Sequence, residues 1–113
     1  MCIRIISLSI RAKEVLELLI GEMDGDLIHY EYHEIEGERG FGNAVFEKFY
    51  TSPKHKKIII VNTQNLKETT NATIILACNY DEWSLRLDSE SADECMDEIM
   101  EILDAYMINE KDG

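Results

Sequence analysis

The sequence predicts an α+β fold, with an antiparallel sheet of about five or six strands and two helices packed on it. Three observations lead to this prediction. Strand-like runs follow one another between residues 58 and 88, an amphipathic helical stripe lies near the N-terminus, and a long capped helix closes the chain. With 113 residues, 45% of them hydrophobic and 30% charged, the chain is expected to form a single domain over residues 1–113.

The N-terminal part predicts a strand followed by a helix. Met1–Leu8 is rich in isoleucine and favours a strand. Ser9 is a candidate N-cap, because its hydroxyl accepts a hydrogen bond from the first helical turn. Apolar residues then recur at steps of three and four, which is the pattern of one buried helical stripe: Ala12, Val15, Leu16, Leu19 and Met23. Gly25 is expected to end this N-terminal helix.

The middle of the chain leaves alternatives open. Leu27–Glu36 is compatible with a strand or a helix, and the glycine-rich Gly37–Gly42 predicts a turn. Ala44–Thr51 favours a strand by its aromatic residues, with a short helix as the alternative. The basic cluster Lys54–Lys57 follows Pro53 and is expected in a solvated turn.

Three strand-like runs follow. Ile58–Val61 and Ile74–Ala77, the latter within the run Thr73–Cys78, are apolar at successive positions, which is typical of central strands. In Trp83–Asp88, large apolar residues alternate with polar ones, so this run predicts a strand with one buried and one solvated face.

The closing segment Ala92–Ile108 predicts a long C-terminal helix. Ser91 and Glu94 have the spacing of a capping box. The expected outer face carries acids and no base, so this helix depends on burial rather than on its own propensity: Asp93, Glu94, Asp97, Glu98, Glu101 and Asp104.

The order of strand, helix, strands and final helix resembles that of helix-grip proteins, in which a curved antiparallel sheet surrounds a long C-terminal helix. This resemblance of architecture implies an apolar cavity between the sheet and the C-terminal helix. Aromatic and methionine side chains are suited to line such a cavity. The expected pocket residues are Tyr30, Tyr32, Phe46, Tyr50, Trp83, Met96 and Tyr106.

The formal net charge of −12 bears on the partners of this protein. Nucleic acids and anionic membranes are bound by basic surfaces, so neither is expected as a partner. A basic protein partner suits this charge better. No run of about 18 apolar residues is present, and no signal peptide is recognisable. The three widely spaced cysteines predict reduced thiols and a cytoplasmic location.

His29, Glu31 and His33 form the most ligand-like group in the sequence. On a strand, alternate residues project from the same surface, which brings two imidazoles and a carboxylate together. These groups suit zinc, iron or manganese, with Glu36 or His55 as the candidate fourth ligand. The alternative interpretation is a solvated face opposite Tyr30 and Tyr32.

No other pattern predicts chemistry. The loop at Gly37–Gly42 lacks the strand-to-helix context of a phosphate-binding loop, and no serine lies in a nucleophile elbow. We therefore expect no enzymatic activity and no cofactor. The sequence favours a small soluble binding protein with a pocket for an apolar ligand. The alternative is a protein-interaction module or homodimer that acts through the acidic C-terminal helix or a sheet edge.

Overall fold

The computed structural model describes residues 2–49, 56–79 and 95–112, and the statements below concern these residues. They form an α+β fold with a six-stranded antiparallel sheet and two helices. The strands are β1 Cys2–Leu8, β2 Asp26–Glu36, β3 Arg39–Phe49, β4 Lys56–Gln64, β5 Thr70–Asn79 and β6 Met107–Asp112. The helices are α1 Ala12–Glu22 and α2, described over 95–103 and followed by a 3₁₀ turn at Asp104–Tyr106.

The strands are arranged in the order β2-β3-β4-β5-β1-β6. All neighbouring strands are antiparallel, as predicted for Ile58–Val61 and Ile74–Ala77, where Ile58 lies opposite Ala77 and Val61 opposite Ile74. Both runs belong to the central strands β4 and β5, which confirms their predicted position. The two edges of the sheet are β2 and β6.

The core lies between the helices and one face of the sheet, which we call the inner face. Burial alternates along the strands, as β4 shows. Ile59 and Val61 are fully buried, whereas the alternate residues Ile58 and Ile60 are partly exposed. One cluster of buried side chains joins the inner face to α1 and α2, with Leu16, Leu19, Ile99 and Leu103 contributed by the helices. The opposite face, the outer face, carries no described helix.

The start of the chain agrees with its prediction except at the two ends of the helix, which stops at Glu22 with Met23 as its C-cap rather than at Gly25. The strand over Cys2–Leu8 is confirmed, and α1 contains the predicted apolar stripe. The N-cap is Arg11 rather than Ser9. The Glu14 carboxylate accepts a hydrogen bond from the Arg11 N–H at 3.1 Å, while the Ser9 N–H donates to the Tyr106 carbonyl at 2.8 Å. The backbone of Ser9 is thus bonded to the 3₁₀ turn before β6, two residues before the N-cap.

The glycine-rich segment is mostly strand, which corrects the prediction of a turn over Gly37–Gly42. The turn contains only Gly37 and Glu38, and Gly37 has a φ of 59°, which favours glycine. Gly40 and Gly42 belong to β3, opposite Glu34 and Tyr32 of β2. A Cβ at Gly40 would lie 2.6 Å from Tyr32 Cζ, so the tyrosine ring occupies the space that a side chain would need.

The prediction of a C-terminal helix over Ala92–Ile108 extends too far at its C-terminal end. The described helix ends at residue 103, and Met107–Asp112 forms strand β6 against β1. Glu101 and Asp104 explain the early end, because acidic side chains are unfavourable at the negative end of a helix dipole. Pairing with β1 also gives hydrogen bonds to backbone groups that would lack partners at a frayed helix end.

The prediction of a turn for the basic cluster Lys54–Lys57 is wrong at its last two residues, because Lys56 and Lys57 begin strand β4, while Lys54 and His55 lie outside the described residues. Lys57 lies on the inner face of β4, opposite Lys48 of β3, and is fully buried. The predicted strand Trp83–Asp88 and the capping box at Ser91 and Glu94 lie outside the described residues. No helix in the described ranges is long and apolar enough to span a membrane.

Candidate functional site

The edge strand β2 is exposed along almost its whole length. Of the 11 residues in this strand, only Glu31 and Tyr32 are even partly buried. Four large apolar side chains are exposed on it: Leu27, Ile28, Tyr30 and Ile35, with exposed fractions of 37–60%. The two alternatives for Leu27–Glu36 are thus resolved in favour of a strand, and none of the described strands pairs with the other side of its backbone.

Two irregularities divide β2. The pairing with β3 shifts register between Leu27 and His29 and again between Glu34 and Glu36. Ile28 and Ile35 lie at these shifts, so each is the extra residue of a bulge. Between them, residues 29–34 form a regular stretch of edge strand.

His29, Glu31 and His33 do lie together on the outer face of this stretch. Glu31 Oε2 is 3.6 Å from His29 Nε2 and 3.5 Å from His33 Nε2. All three side chains are about half exposed. The His33 ring also packs against Phe41 of β3, with the ring centroids 5.2 Å apart. The carboxylate thus lies between two imidazoles, either of which forms an ion pair with it when protonated.

Metal binding by this group stays a prediction. Within the described ranges, no three histidine, cysteine, aspartate or glutamate side chains are arranged to hold a metal ion. The observed contacts centre on the carboxylate rather than on a vacant point between the donor atoms. Binding a metal would require the three exposed side chains to rearrange, with a loss of side-chain entropy.

Glu31 is also the acceptor of a hydrogen bond from β3. Asn43 Nδ2 donates to Glu31 Oε1 at 2.9 Å. This hydrogen bond is the main reason why the pKa of Glu31 lies below its ordinary value of 4.5, and the neighbouring His33 and His29 lower the pKa further. Partial desolvation opposes these effects without cancelling them.

We expect Asn43→Ala to raise the pKa of Glu31 toward 4.5, because the anion loses its strongest hydrogen bond. A carboxyl group whose pKa is lower in the folded state than in the unfolded state stabilises the fold at every pH above its unfolded pKa. This stabilisation is lost as the pH falls through the folded pKa. The variant should therefore lose less stability on acidification below about pH 4.5. Carboxyl NMR titration measures the pKa. Asn62→Ala, across β3 from Glu31, is the control and should leave it unchanged.

The expected pocket residues are not brought together by the described part of the fold. Phe46 and Met96 are each 2% exposed and belong to the packed core. Tyr30 lies exposed on β2, Tyr32 covers the strand glycines, and Tyr106 borders a groove between α1 and the end of α2. Tyr50 and Trp83 lie outside the described residues. The apolar pocket thus stays a prediction.

A polar groove of about 810 Å³ lies where three connections meet at one end of the sheet. It is bordered by the β1–α1, β2–β3 and β4–β5 connections and by Ile108 of β6. Asn65 fixes its shape, because its side chain accepts a hydrogen bond from Gly40 N and donates one to the Glu38 carbonyl, both at 2.9 Å. Arg11 and Glu38 form an ion pair across it at 3.2 Å.

The acidic face predicted for the closing helix is not wholly solvated. Glu98 forms an ion pair with Lys48 of β3, and its other carboxylate oxygen accepts a hydrogen bond from Asp24 N at 3.2 Å. These contacts attach α2 to the sheet and to the α1–β2 connection. Asp97 and Glu101 are exposed, as expected.

Sequence reasoning identified His29, Glu31 and His33 but missed their position on a sheet edge and the groove around Asn65. Edge position depends on which strands pair, and the groove depends on how three connections meet. A comparison of the chain with known protein families, curated proteins and solved structures finds no match. Function is therefore argued from the geometry.

Proposed function

We propose that this protein is an interaction module that binds an extended, basic segment of a protein partner by adding it as a strand beside β2. The observation that carries the proposal is the exposed edge strand, whose backbone has a neighbour on one side only among the strands that the structure describes. Unpaired backbone N–H and C=O groups at a sheet edge are a template for an added strand.

The side chains of β2 support this proposal. Natural edge strands are often protected from pairing by lysine, proline or bulges. β2 contains no lysine, arginine or proline, and its bulges lie outside the regular stretch 29–34. About six residues of a partner can therefore pair here, and the exposed Tyr30 offers it an apolar contact.

The charge of β2 favours a basic partner over a second copy of the same strand. Four acids lie along it: Asp26, Glu31, Glu34 and Glu36. Two β2 strands paired with each other would bring these acids close together, which is destabilising. Lysines or arginines at alternate positions of a partner strand would instead meet opposite charges and associate faster at low salt.

The test is binding of a short peptide of alternating lysine and valine. We expect amide NMR shifts concentrated in residues 29–34, and about threefold to tenfold weaker binding by Glu34→Lys, because a charge in the binding edge is reversed. Glu17→Lys, on the exposed side of α1, changes the net charge equally and should bind like the wild type.

A second peptide separates strand addition from simple charge attraction. It carries the same number of lysines but has proline in place of valine, and so cannot form the backbone hydrogen bonds of a ladder. Equal binding of both peptides, or equal weakening by Glu17→Lys and Glu34→Lys, would contradict the proposal.

A further inference from the structure

The polar groove lies at the end of the sheet where every connection is described. The β1–α1, β2–β3 and β4–β5 connections and the turn before β6 all meet there. The ranges 50–55 and 80–94, which lie outside the described residues, adjoin the opposite end of the sheet. Phe49, Lys56 and Asn79 form one cross-strand row there, and the start of the described α2 contacts the same end of β3. The lining of the polar groove is therefore set by described residues.

Hydrogen bonds between the connections hold the polar groove in one shape. Besides the two bonds of its side chain, the Asn65 N–H donates to the Gly40 carbonyl at 3.0 Å. Thr63 Oγ1 donates to the Ala12 carbonyl at 3.3 Å, which attaches β4 to the start of α1. A groove that is already ordered binds a ligand at a lower entropic cost than flexible loops do.

One buried hydroxyl at the polar groove has no partner among the described residues. Thr70, the first residue of β5, borders the groove and is 5% exposed. Its side chain makes no hydrogen bond within the described ranges, whereas that of the buried Thr63 does. Leaving a buried hydroxyl unpaired is costly, and buried polar groups nearly always have a partner. Thr70 therefore indicates that a molecule in the groove supplies one.

The charges at the rim of the polar groove indicate what kind of molecule this is. Besides the Arg11–Glu38 pair, the rim carries two acids and two cations: Glu36, Glu68, Arg39 and Lys67. None of these four forms an ion pair with a described residue. An anion or a cation alone would be repelled by half of them, whereas a zwitterion can pair with both kinds.

The polar groove also offers an apolar contact. Ile108 of β6 borders it and, at 63%, is the most exposed of the large apolar side chains in the described ranges. Leu8 and Ile10 lie on the same border. A ligand with an aliphatic part would remove this surface from water.

We propose that the polar groove binds a small zwitterion with an aliphatic side chain, which means a free amino acid or a dipeptide. Its ammonium group pairs with an acid of the rim and its carboxylate with a cation. The hydroxyl of Thr70 bonds to the ligand, and the aliphatic side chain lies against Ile108. The volume of about 810 Å³ is within the range of small-molecule sites. This proposal does not rest on strand addition at β2.

Titration of the full chain with alanyl-leucine, followed by amide NMR, tests the proposal. We expect shifts at Asn65 and Thr70 and a Kd of about 1 mM or lower, as for a ligand of this size. N-acetyl-alanyl-leucine lacks the ammonium group and alanyl-leucine amide lacks the carboxylate. Each should bind at least about fivefold more weakly. Leucine is titrated in parallel, and the tighter of leucine and alanyl-leucine shows which size of zwitterion the groove takes.

Thr70→Val removes the unpartnered hydroxyl and keeps the shape of the side chain. We expect about threefold to tenfold weaker binding of alanyl-leucine, with the urea midpoint of the free protein unchanged or raised. A hydroxyl that only supports the fold would lower the midpoint instead. Thr73→Val is the matched control, because Thr73 lies on the outer face of the same strand and does not border the groove. It should bind like the wild type.

Lys67→Gln should weaken binding of alanyl-leucine but not of its amide, which has no carboxylate to lose a partner. Lys13→Gln, an exposed lysine of α1 that does not border the groove, is the control for net charge. Absence of shifts at Asn65 and Thr70 with about 10 mM of either zwitterion would overturn the proposal. Equal binding of the three dipeptide forms, or equal effects of Thr70→Val and Thr73→Val, would overturn it too.

Discussion

Phe46→Ala is expected to lower the free energy of unfolding by about 3–5 kcal/mol, the range measured when buried phenylalanines are truncated. Phe46 is 2% exposed, lies opposite Ile59 on the inner face and is one of the largest side chains of the core cluster. Its loss would leave a cavity beneath the helices. Because small domains are stable by only about 5–15 kcal/mol, the variant would be close to unfolded at moderate urea concentrations.

Urea unfolding followed by circular dichroism measures the change, with Val45→Ala as the control. Val45 is the neighbour of Phe46 in sequence but lies partly exposed on the outer face. Its truncation should cost less than about 1 kcal/mol. Similar losses in both variants would contradict the assignment of the two faces. A small loss for Phe46→Ala would favour the pocket predicted from the sequence, in which Phe46 lines a cavity.

Gly42→Ala is expected to destabilise the fold by about 3 kcal/mol, at the upper end of the range for overpacking. A Cβ at Gly42 would lie 2.9 Å from Tyr32 Cα and closer still to the backbone oxygen of Glu31. A side chain could relieve such a clash by changing its rotamer, but the backbone atoms of a paired strand cannot. The substitution therefore forces β2 away from β3, with loss of ladder hydrogen bonds at the edge of the sheet.

Gly21→Ala is the matched control for this substitution. Gly21 lies in the last turn of α1, and a Cβ there would meet nothing within 4 Å. Alanine should increase stability by about 0.5 kcal/mol, since glycine is the poorer helix former. Thermal or urea unfolding of both variants gives the comparison. A neutral Gly42→Ala would mean that β2 and β3 are farther apart than the structure has them.

The predictions for the core elements succeeded where the pattern is local. The three- and four-residue spacing of α1 and the apolar runs of β4 and β5 depend on residues that are close in sequence, and these elements are confirmed. The sequence could not distinguish the two faces of β4 and β5. Both faces are apolar, yet helices cover only the inner one in the described part of the fold.

The failures concern residues whose conformation depends on a distant strand. Met107 and Ile108 continue the helical pattern predicted over Ala92–Ile108, but they belong to β6, which pairs with β1 about a hundred residues away along the chain. Gly40 and Gly42 look like turn residues in isolation, yet they pair with β2 as strand residues. Glycine is needed there because the Tyr32 side chain and the β2 backbone occupy the space beside them.

The sequence by itself determined the fold class and the antiparallel central strands, because strand and helix periodicities are properties of neighbouring residues. It placed His29, Glu31 and His33 together only on the condition that Leu27–Glu36 is a strand. Only the tertiary structure decided that β2 is an edge of the described sheet, that Asn43 donates to the Glu31 carboxylate, and that the described helices cover only one face of the sheet. Each of these depends on strand order and register, which are set by contacts between residues far apart in the chain.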